Sequence, residues 1–364
     1  MTLPRPGHLG LRSLVAGTVG LVGAAALTGA TVHATRVRRR RAVLGAEALP
    51  LGSLHGEVHQ VVTDDGICLH AEVDEPADQQ PDAPTVVLVH GWGLTRQSWH
   101  YQRAALRTTH RVVVYDQRSH GSSEWSAPDH STIDQLAADL RTVLGQLVPT
   151  GPVALVGHSM GGMTVMALAR LDPDLVRDRV VAVALVATSS GHLGRHARGL
   201  PASSLSRLSP LLRATIDTAP WLVEAPRRLA ADLSYDAVRR YGFGSDPQDA
   251  HVAFADRMLA DAPVGVYTAF WPLFVSLDLS DVLPAFTDLP TLVVAGERDV
   301  MTPVGLSRRL AETIRTAELV VLPDSGHLLM LERHEQLTGL LEALLERAGQ
   351  PDGAREAAVE ERLG

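Results

Sequence analysis

From residue 46 onward the sequence alternates between short apolar runs rich in Val and longer stretches with helical spacing of apolar residues, and this alternation leaves few folds open. The runs cover residues 58–62, 68–73, 85–89, 111–115, 153–156, 180–186, 291–295 and 319–322. Several are apolar at nearly every position, as strands buried on both faces must be, so they predict eight strands of a mostly parallel sheet. Helices are expected over 132–148, 160–171, 304–315 and 335–348. In the first of these, Ile133, Leu136, Ala137, Leu140, Val143, Leu144 and Leu147 form one stripe, while Asp134 and Arg141 share another face. Strands alternating with such helices specify α/β layering.

One long interruption breaks the pattern. Residues 190–285 contain helix-like stretches at 209–216, 226–233, 250–259 and 264–271, with Trp221, Trp271 and clustered Pro and Gly. Pro210 and Pro226 suit first helical turns. So long a stretch does not fit an unstructured loop, and a helical cap inserted in the core does. The chain therefore divides into a leader (1–45), a core made of 46–189 and 286–349, a cap (190–285) and a charged flexible tail (350–364). With 364 residues, 45% of them hydrophobic, there is enough apolar material for such a core.

The leader reads separately from the body. Residues 13–35 carry no Asp, Glu or Arg and have the length a bilayer core demands of a helix. Arg36, Arg38, Arg39, Arg40 and Arg41 follow the stretch and only Arg5 and Arg12 precede it, which favours a single uncleaved span with the body on the cytoplasmic side. A cleaved signal, with small residues near Ala30 or Ala34 at the cleavage site, is the second reading. The third is a plain extension, since Gly17, Gly20, Gly23 and Gly29 weaken the span.

Charge and composition exclude several functions. The formal net charge is −8, and seven of the 33 basic residues precede the first acidic one, Glu47, so the body is strongly acidic and no nucleic-acid surface is expected. Every basic residue is Arg, which removes Lys chemistry. The lone Cys68 cannot form an intramolecular disulfide or a Cys-rich metal site. No metal or organic cofactor is called for, and the expected partner is a small-molecule ester or lipid substrate.

The sharpest motif is Gly157-His158-Ser159-Met160-Gly161, placed between an expected strand and an expected helix. It matches G-x-S-x-G in the context that gives the pattern meaning: a tight strand-to-helix turn presents the Ser159 hydroxyl, and flanking glycines let backbones pass closely. The N–H groups of the helix start favour negative charge on a carbonyl oxygen under attack. Downstream, the run at 291–295 leads through Gly296 to Asp299, and the run at 319–322 leads through Gly326 to His327. Asp299 is the candidate acid that orients the imidazole, and His327 the candidate general base. Glu297 should point elsewhere, and Asp324 should brace the histidine loop. Upstream, the run at 85–89 ends in His90-Gly91-Trp92-Gly93. The Trp92 N–H, with that of Met160, is the candidate oxyanion hole, while His90 ties the loop down.

Together, His90 to Gly93, Asp116-Gln117-Arg118-Ser119-His120-Gly121 with Ser123, the elbow, Gly296 to Asp299 and Gly326-His327 resemble the α/β-hydrolase superfamily over roughly residues 58 to 348. The resemblance implies an eight-stranded, mostly parallel sheet with its second strand antiparallel, helices on both faces, a helical lid after the sixth strand, and a Ser159, Asp299, His327 triad. Ser119 replaces the Gly of the family's D-x-R-G-H-G, which bears on local geometry there. A serine at 159 resembles esterases and lipases and departs from haloalkane dehalogenases and epoxide hydrolases, which use Asp. Trp92 and Met160 are also similar to cofactor-free haloperoxidases, and Gly157 to Gly162 to monoacylglycerol-lipase-like enzymes. The expected function is thus ester hydrolysis on lipophilic or acyl substrates through an acyl-enzyme. Peracid or C–C bond chemistry on the same triad is one alternative, and a catalytically silent membrane-associated binding protein is another.

Overall fold

The computed structural model describes residues 50–76, 83–191, 193 and 231–349. The leader, the tail, and the helices expected at 209–216 and across most of 226–233 lie outside the described residues. No single helix among the described residues is long and apolar enough to cross a membrane.

Eight strands form one sheet: β1 (Glu57–Val62), β2 (Cys68–Asp74), β3 (Thr85–Val89), β4 (Val112–Tyr115), β5 (Val153–His158), β6 (Val180–Val186), β7 (Thr291–Gly296) and β8 (Ala317–Leu322). Their spatial order is β1-β2-β4-β3-β5-β6-β7-β8. β2 is antiparallel to both neighbours, and the pairs from β3–β4 to β7–β8 are parallel. This is the α/β-hydrolase architecture that the motifs imply. Each expected run becomes a strand, with small changes at the ends. β5 extends past its apolar run to His158, because Gly157 and His158 still pair with Leu185 and Val186 of β6.

Around the sheet lie α1 (His100–Leu106), α2 (Ile133–Leu147), α3 (Met160–Leu171) and α4 (Pro173–Arg179). After them come α5 (Ala231–Gly242), α6 (Asp249–Asp261), α7 (Val264–Ser276), α8 (Val304–Thr313), α9 (Leu329–Glu332) and α10 (His334–Ala348). Because strand side chains alternate between faces, the core has two layers. Val87, Val89, Val113, Leu155, Val183 and Val293 pack with the stripe of α2 and with Met163 and Met166 of α3. Their neighbours Val86, Leu88, Val112, Val114, Ala154 and Leu292 pack with Leu106 of α1 and with Leu337, Leu341 and Leu344 of α10.

The inserted segment leaves and returns at one place. Gly191 and Asp278 form an isolated antiparallel bridge, and Leu279 N–H donates to Ser190 O at 2.6 Å. Two cap helices differ from expectation. α5, whose expected start at Pro226 lies outside the described residues, runs on to Gly242, past the expected end at Leu233. α7 continues through Pro272 to Ser276 where a stop before the proline was expected. Among the core helices, α1, α4 and α9 have no counterpart among the expected ones. All three are short, and α4 is set by its own start, where the Asp172 side chain accepts Leu175 N–H and Pro173 occupies the first turn.

Candidate active site

The elbow is built as its glycines require. Ser159 sits at φ 52°, ψ −116°, a strained backbone position between β5 and α3. A Cβ on Gly157 would fall 2.5 Å from Gly161 O, and one on Gly161 would fall 2.2 Å from Val89 O, so larger residues are shut out at both places. The strained turn is held by its surroundings. Ser159 N–H donates to Val186 O (2.9 Å), and the Thr188 hydroxyl donates to Ser159 O (2.6 Å).

Asp299 stands just beyond β7, and His327 in the loop after β8. His327 Nδ1–H donates to Asp299 Oδ2 at 2.8 Å, which leaves Nε2 as the nitrogen able to take a proton. The carboxylate is fixed by three further donors: the N–H groups of Met301 (2.8 Å) and Thr302 (2.9 Å) to Oδ1, and the Thr302 hydroxyl (2.6 Å) to Oδ2. Both residues are almost fully buried. The His158 ring packs on that of His327, centroids 4.8 Å apart, and its Nε2–H donates to the His327 carbonyl at 3.0 Å. Burial pushes the His158 pKa well below the ordinary imidazole value, with His327 adding to the effect, so His158 stays neutral. Ser159 follows directly in sequence. Among the described residues no hydrogen bond joins Ser159 Oγ to His327; in apo structures such bonds are often long and tighten on substrate binding.

Trp92 and Met160 bring backbone N–H groups from the β3 loop and the start of α3, and neither amide donates to an acceptor among the described residues. The loop carrying Trp92 is tied to its neighbours. His90 Nδ1–H donates to Gly91 O (2.8 Å), and its Nε2 accepts Gln117 N–H (2.9 Å). The Gln117 side-chain amide donates to His90 O (2.6 Å), while its oxygen accepts the Thr164 hydroxyl of α3 (3.0 Å). Burial lowers the His90 pKa to about 4 and that of His120 to about 3, so both remain neutral anchors. Above the loop, the Trp92 indole donates to Val266 O (3.2 Å), and its ring meets Phe274 and Tyr267 of α7 at 5.0 and 5.2 Å. The cap thus presents an aromatic wall beside the candidate oxyanion donors.

The competing residues are elsewhere engaged. Glu297 accepts Asp324 N–H (3.0 Å), and Asp324 pairs with Arg298 (2.6 Å), bracing the histidine loop. Ser119, in place of the family's Gly, adopts φ 65°, and its hydroxyl bonds Ser126 N–H (3.0 Å), which offsets part of the strain. No group of three or more His, Cys, Asp or Glu is arranged to hold a metal among the described residues.

Sequence reading missed Thr302 and Gln117. Thr302 had a local signal, since an Asp accepting N–H groups two and three residues on is a common turn device. Gln117 acts across the fold and had none.

With this geometry in place, comparison with known proteins is direct. A family model for the alpha/beta hydrolase fold matches residues 84–334. A protein of Stutzerimonas stutzeri named as a carbamate hydrolase, RutD, is 29% identical over 283 residues, which cover 74% of this chain and 95% of that one. A thermophilic esterase from Thermogutta terrifontis superposes with TM-score 0.63 at 26% identity, covering 81% of this chain and 100% of that chain. An enol-lactonase from Burkholderia xenovorans does so with TM-score 0.61 at 26% identity, covering 79% and 100%. On its strand order, its serine elbow and these matches, the chain is a hydrolase and belongs to the α/β-hydrolase fold family.

Proposed function

We propose that the chain cleaves carboxylic esters through an acyl-enzyme on Ser159. The observation that carries this reading is the Asp299–His327 hydrogen bond, with Asp299 held by three other donors, in a loop packed against the residue preceding the strained serine. Ser159 Oγ attacks the ester carbonyl carbon while His327 Nε2 takes its proton. The Trp92 and Met160 N–H groups receive the negative oxygen. Collapse breaks the C–O bond to the alcohol, which leaves with the proton from His327. Water, deprotonated by His327, then releases the acid and restores Ser159. Asp299 stays ionised throughout and steadies the imidazolium.

A second substrate class, carbamates, is favoured by the likeness to RutD, because the same attack on a carbamate carbonyl expels an amine or alcohol in place of an ester's alcohol. The test is turnover of p-nitrophenyl esters from acetate to palmitate, beside p-nitrophenyl carbamates, with Ser159→Ala as reference. Ester turnover lost at least about a thousandfold in the variant supports the reading, by analogy with triad deletions. Turnover of carbamates alone moves the chain to the second class. Activity only with peroxide and halide points to the peracid chemistry, and inertness in all assays to a silent binding protein.

We also propose that residues 13–35 anchor the body to a membrane with the body on the cytoplasmic side, on the length and charge flanks of that stretch. Retention of the full chain in carbonate-washed membranes supports the anchor, and release into the supernatant contradicts it.

A further inference from the structure

The loop that carries His327 is fastened on three consecutive residues, each to a different part of the molecule. Gly326 N–H donates to Glu332 Oε2 (2.7 Å) on α9. The His327 carbonyl accepts His158 Nε2–H from the elbow. Leu328 N–H donates to Gly242 O (2.8 Å), the last residue of cap helix α5. Glu332 has a second arm: its Oε1 accepts Gly244 N–H (2.8 Å), just past the end of α5. One carboxylate thus joins the residue before His327 to the cap, with one oxygen committed to each.

Around this link the seam is close-packed. A Cβ on Gly326 would fall 2.4 Å from the carbonyl carbon of Phe243, and one on Gly244 would fall 2.0 Å from Asp324 O and 2.8 Å from Glu332 Oε1. Ser245 Oγ donates to Asp324 Oδ1 (3.0 Å) at the outer margin. Backbone lies on backbone where Gly326 meets Phe243 and where Gly244 meets Asp324, so a shift there is passed on directly. The end of α5 and the His327 loop therefore form one body, joined at its centre by a half-buried charge.

Resting on the reading of His327 as the base, we propose that Glu332 is a positioning residue that couples the cap to His327, so that the placement of α5 sets the alignment of the imidazole. The catalytic residues themselves do not touch it. Its oxygens serve the backbone on both sides of the seam, and the charged form is the one able to accept from both N–H groups at full strength. A substrate that settles the cap thereby settles the base.

The test uses the full chain and two ways of opening the seam. Glu332→Ala removes both arms, and Glu332→Gln keeps an acceptor for one N–H and sets an NH2 group against the other. Gly244→Ala leaves Glu332 in place and forces the seam apart by a Cβ contact. Rates are expressed per active site, counted by fluorophosphonate labelling of Ser159, so that loss of folded protein does not pass as loss of rate. The expected result is kcat down by about ten- to a hundredfold in Glu332→Ala and Gly244→Ala, as for a misplacement approaching 1 Å. KM should stay within about threefold, and Glu332→Gln should fall between. Wild-type kcat per labelled site in Gly244→Ala and in every Glu332 variant that folds overturns the coupling and leaves the triad standing. Failure of the wild-type chain to label at Ser159 overturns the triad reading and the coupling with it.

Discussion

Among the described residues, two of the clusters of buried ionisable side chains invite comparison, one at the seam of β2, β4 and α1, the other in the loops after β5, β7 and β8. In the first, Glu72 pairs with Arg96 and Arg103 (both 2.8 Å), Asp74 with Arg103 (2.5 Å) and Arg107 (3.2 Å), and Asp116 with Arg96. Every charge has met its opposite. In the second, Asp299 faces one imidazole and neutral donors, while two backbone N–H groups, a hydroxyl and the remaining imidazole nitrogen are left for something else. In the proposed mechanism, charge there reaches its full complement only when an oxyanion and an imidazolium form together. The difference teaches how to separate a structural buried cluster from a catalytic one: the former is closed in the resting state, the latter is organised around charges that are not yet present.

Breaking the closed cluster should destabilise the fold without touching the chemistry. Arg103→Ala leaves Glu72 and Asp74 short of a partner inside the core and is expected to cost about 3–5 kcal/mol in urea denaturation. Its rate per labelled Ser159 should match wild type; a large drop in that rate would mean the two clusters are coupled.

Acid attacks the same seam. Burial by itself would raise the Glu72 carboxyl, but Gly56 N–H, Arg103 and Arg96 outweigh it and hold its pKa at about 2, below the ordinary 4.5. A carboxylate depressed in the folded state contributes stability that is present above its unfolded pKa and lost as pH falls through its folded one. Melting temperature should hold level from about pH 7 to pH 5 and then decline from 4.5 towards 2. In a chain carrying Glu72→Gln that decline should be shallower.

Opening the candidate catalytic cluster should reach the rate as well. Thr302→Val removes the hydroxyl that donates to Asp299 Oδ2, a bond to a charged group present in the resting fold, so stability should fall by roughly 1.5–3 kcal/mol. Because the same bond steadies Asp299 against the forming imidazolium, kcat/KM per labelled Ser159 should also fall about tenfold. An unchanged rate per labelled site would place Thr302 with the structural cluster. The smallest effect belongs to Ser119→Gly, which relieves a residue at φ 65° and also removes its bond to Ser126. With about 1–2 kcal/mol gained and about 0.5–1.5 lost, the net stability change should lie within about 1.5 kcal/mol, and activity should be unaltered.

The two clusters also differ in how far they can be read from sequence. Ser159 and Asp299 follow runs buried on both faces and His327 follows the half-buried edge run β8; in each, apolar continuity marks the strand and a glycine marks the turn, so position in the chain carries over to position at the sheet edge. Glu72 and Asp74 lie in a strand where alternating acids read as a solvent face. They are buried because arginines of α1 and of the 3-10 segment Arg96–Trp99 close over them, which no local pattern records. α5 runs past its expected end at Leu233 and meets the histidine loop at Gly242, a contact that no local pattern records. Glu332 reads as an ordinary helical acid until Gly244 is brought beside it.

The most direct test of the central assignment is intact-mass analysis of the folded chain after treatment with a fluorophosphonate, followed by peptide mapping. The expected result is one adduct per chain, located on Ser159, absent from Ser159→Ala, and slowed strongly in His327→Ala. Labelling of another residue at the same rate in Ser159→Ala, or none in folded wild-type protein, would contradict it.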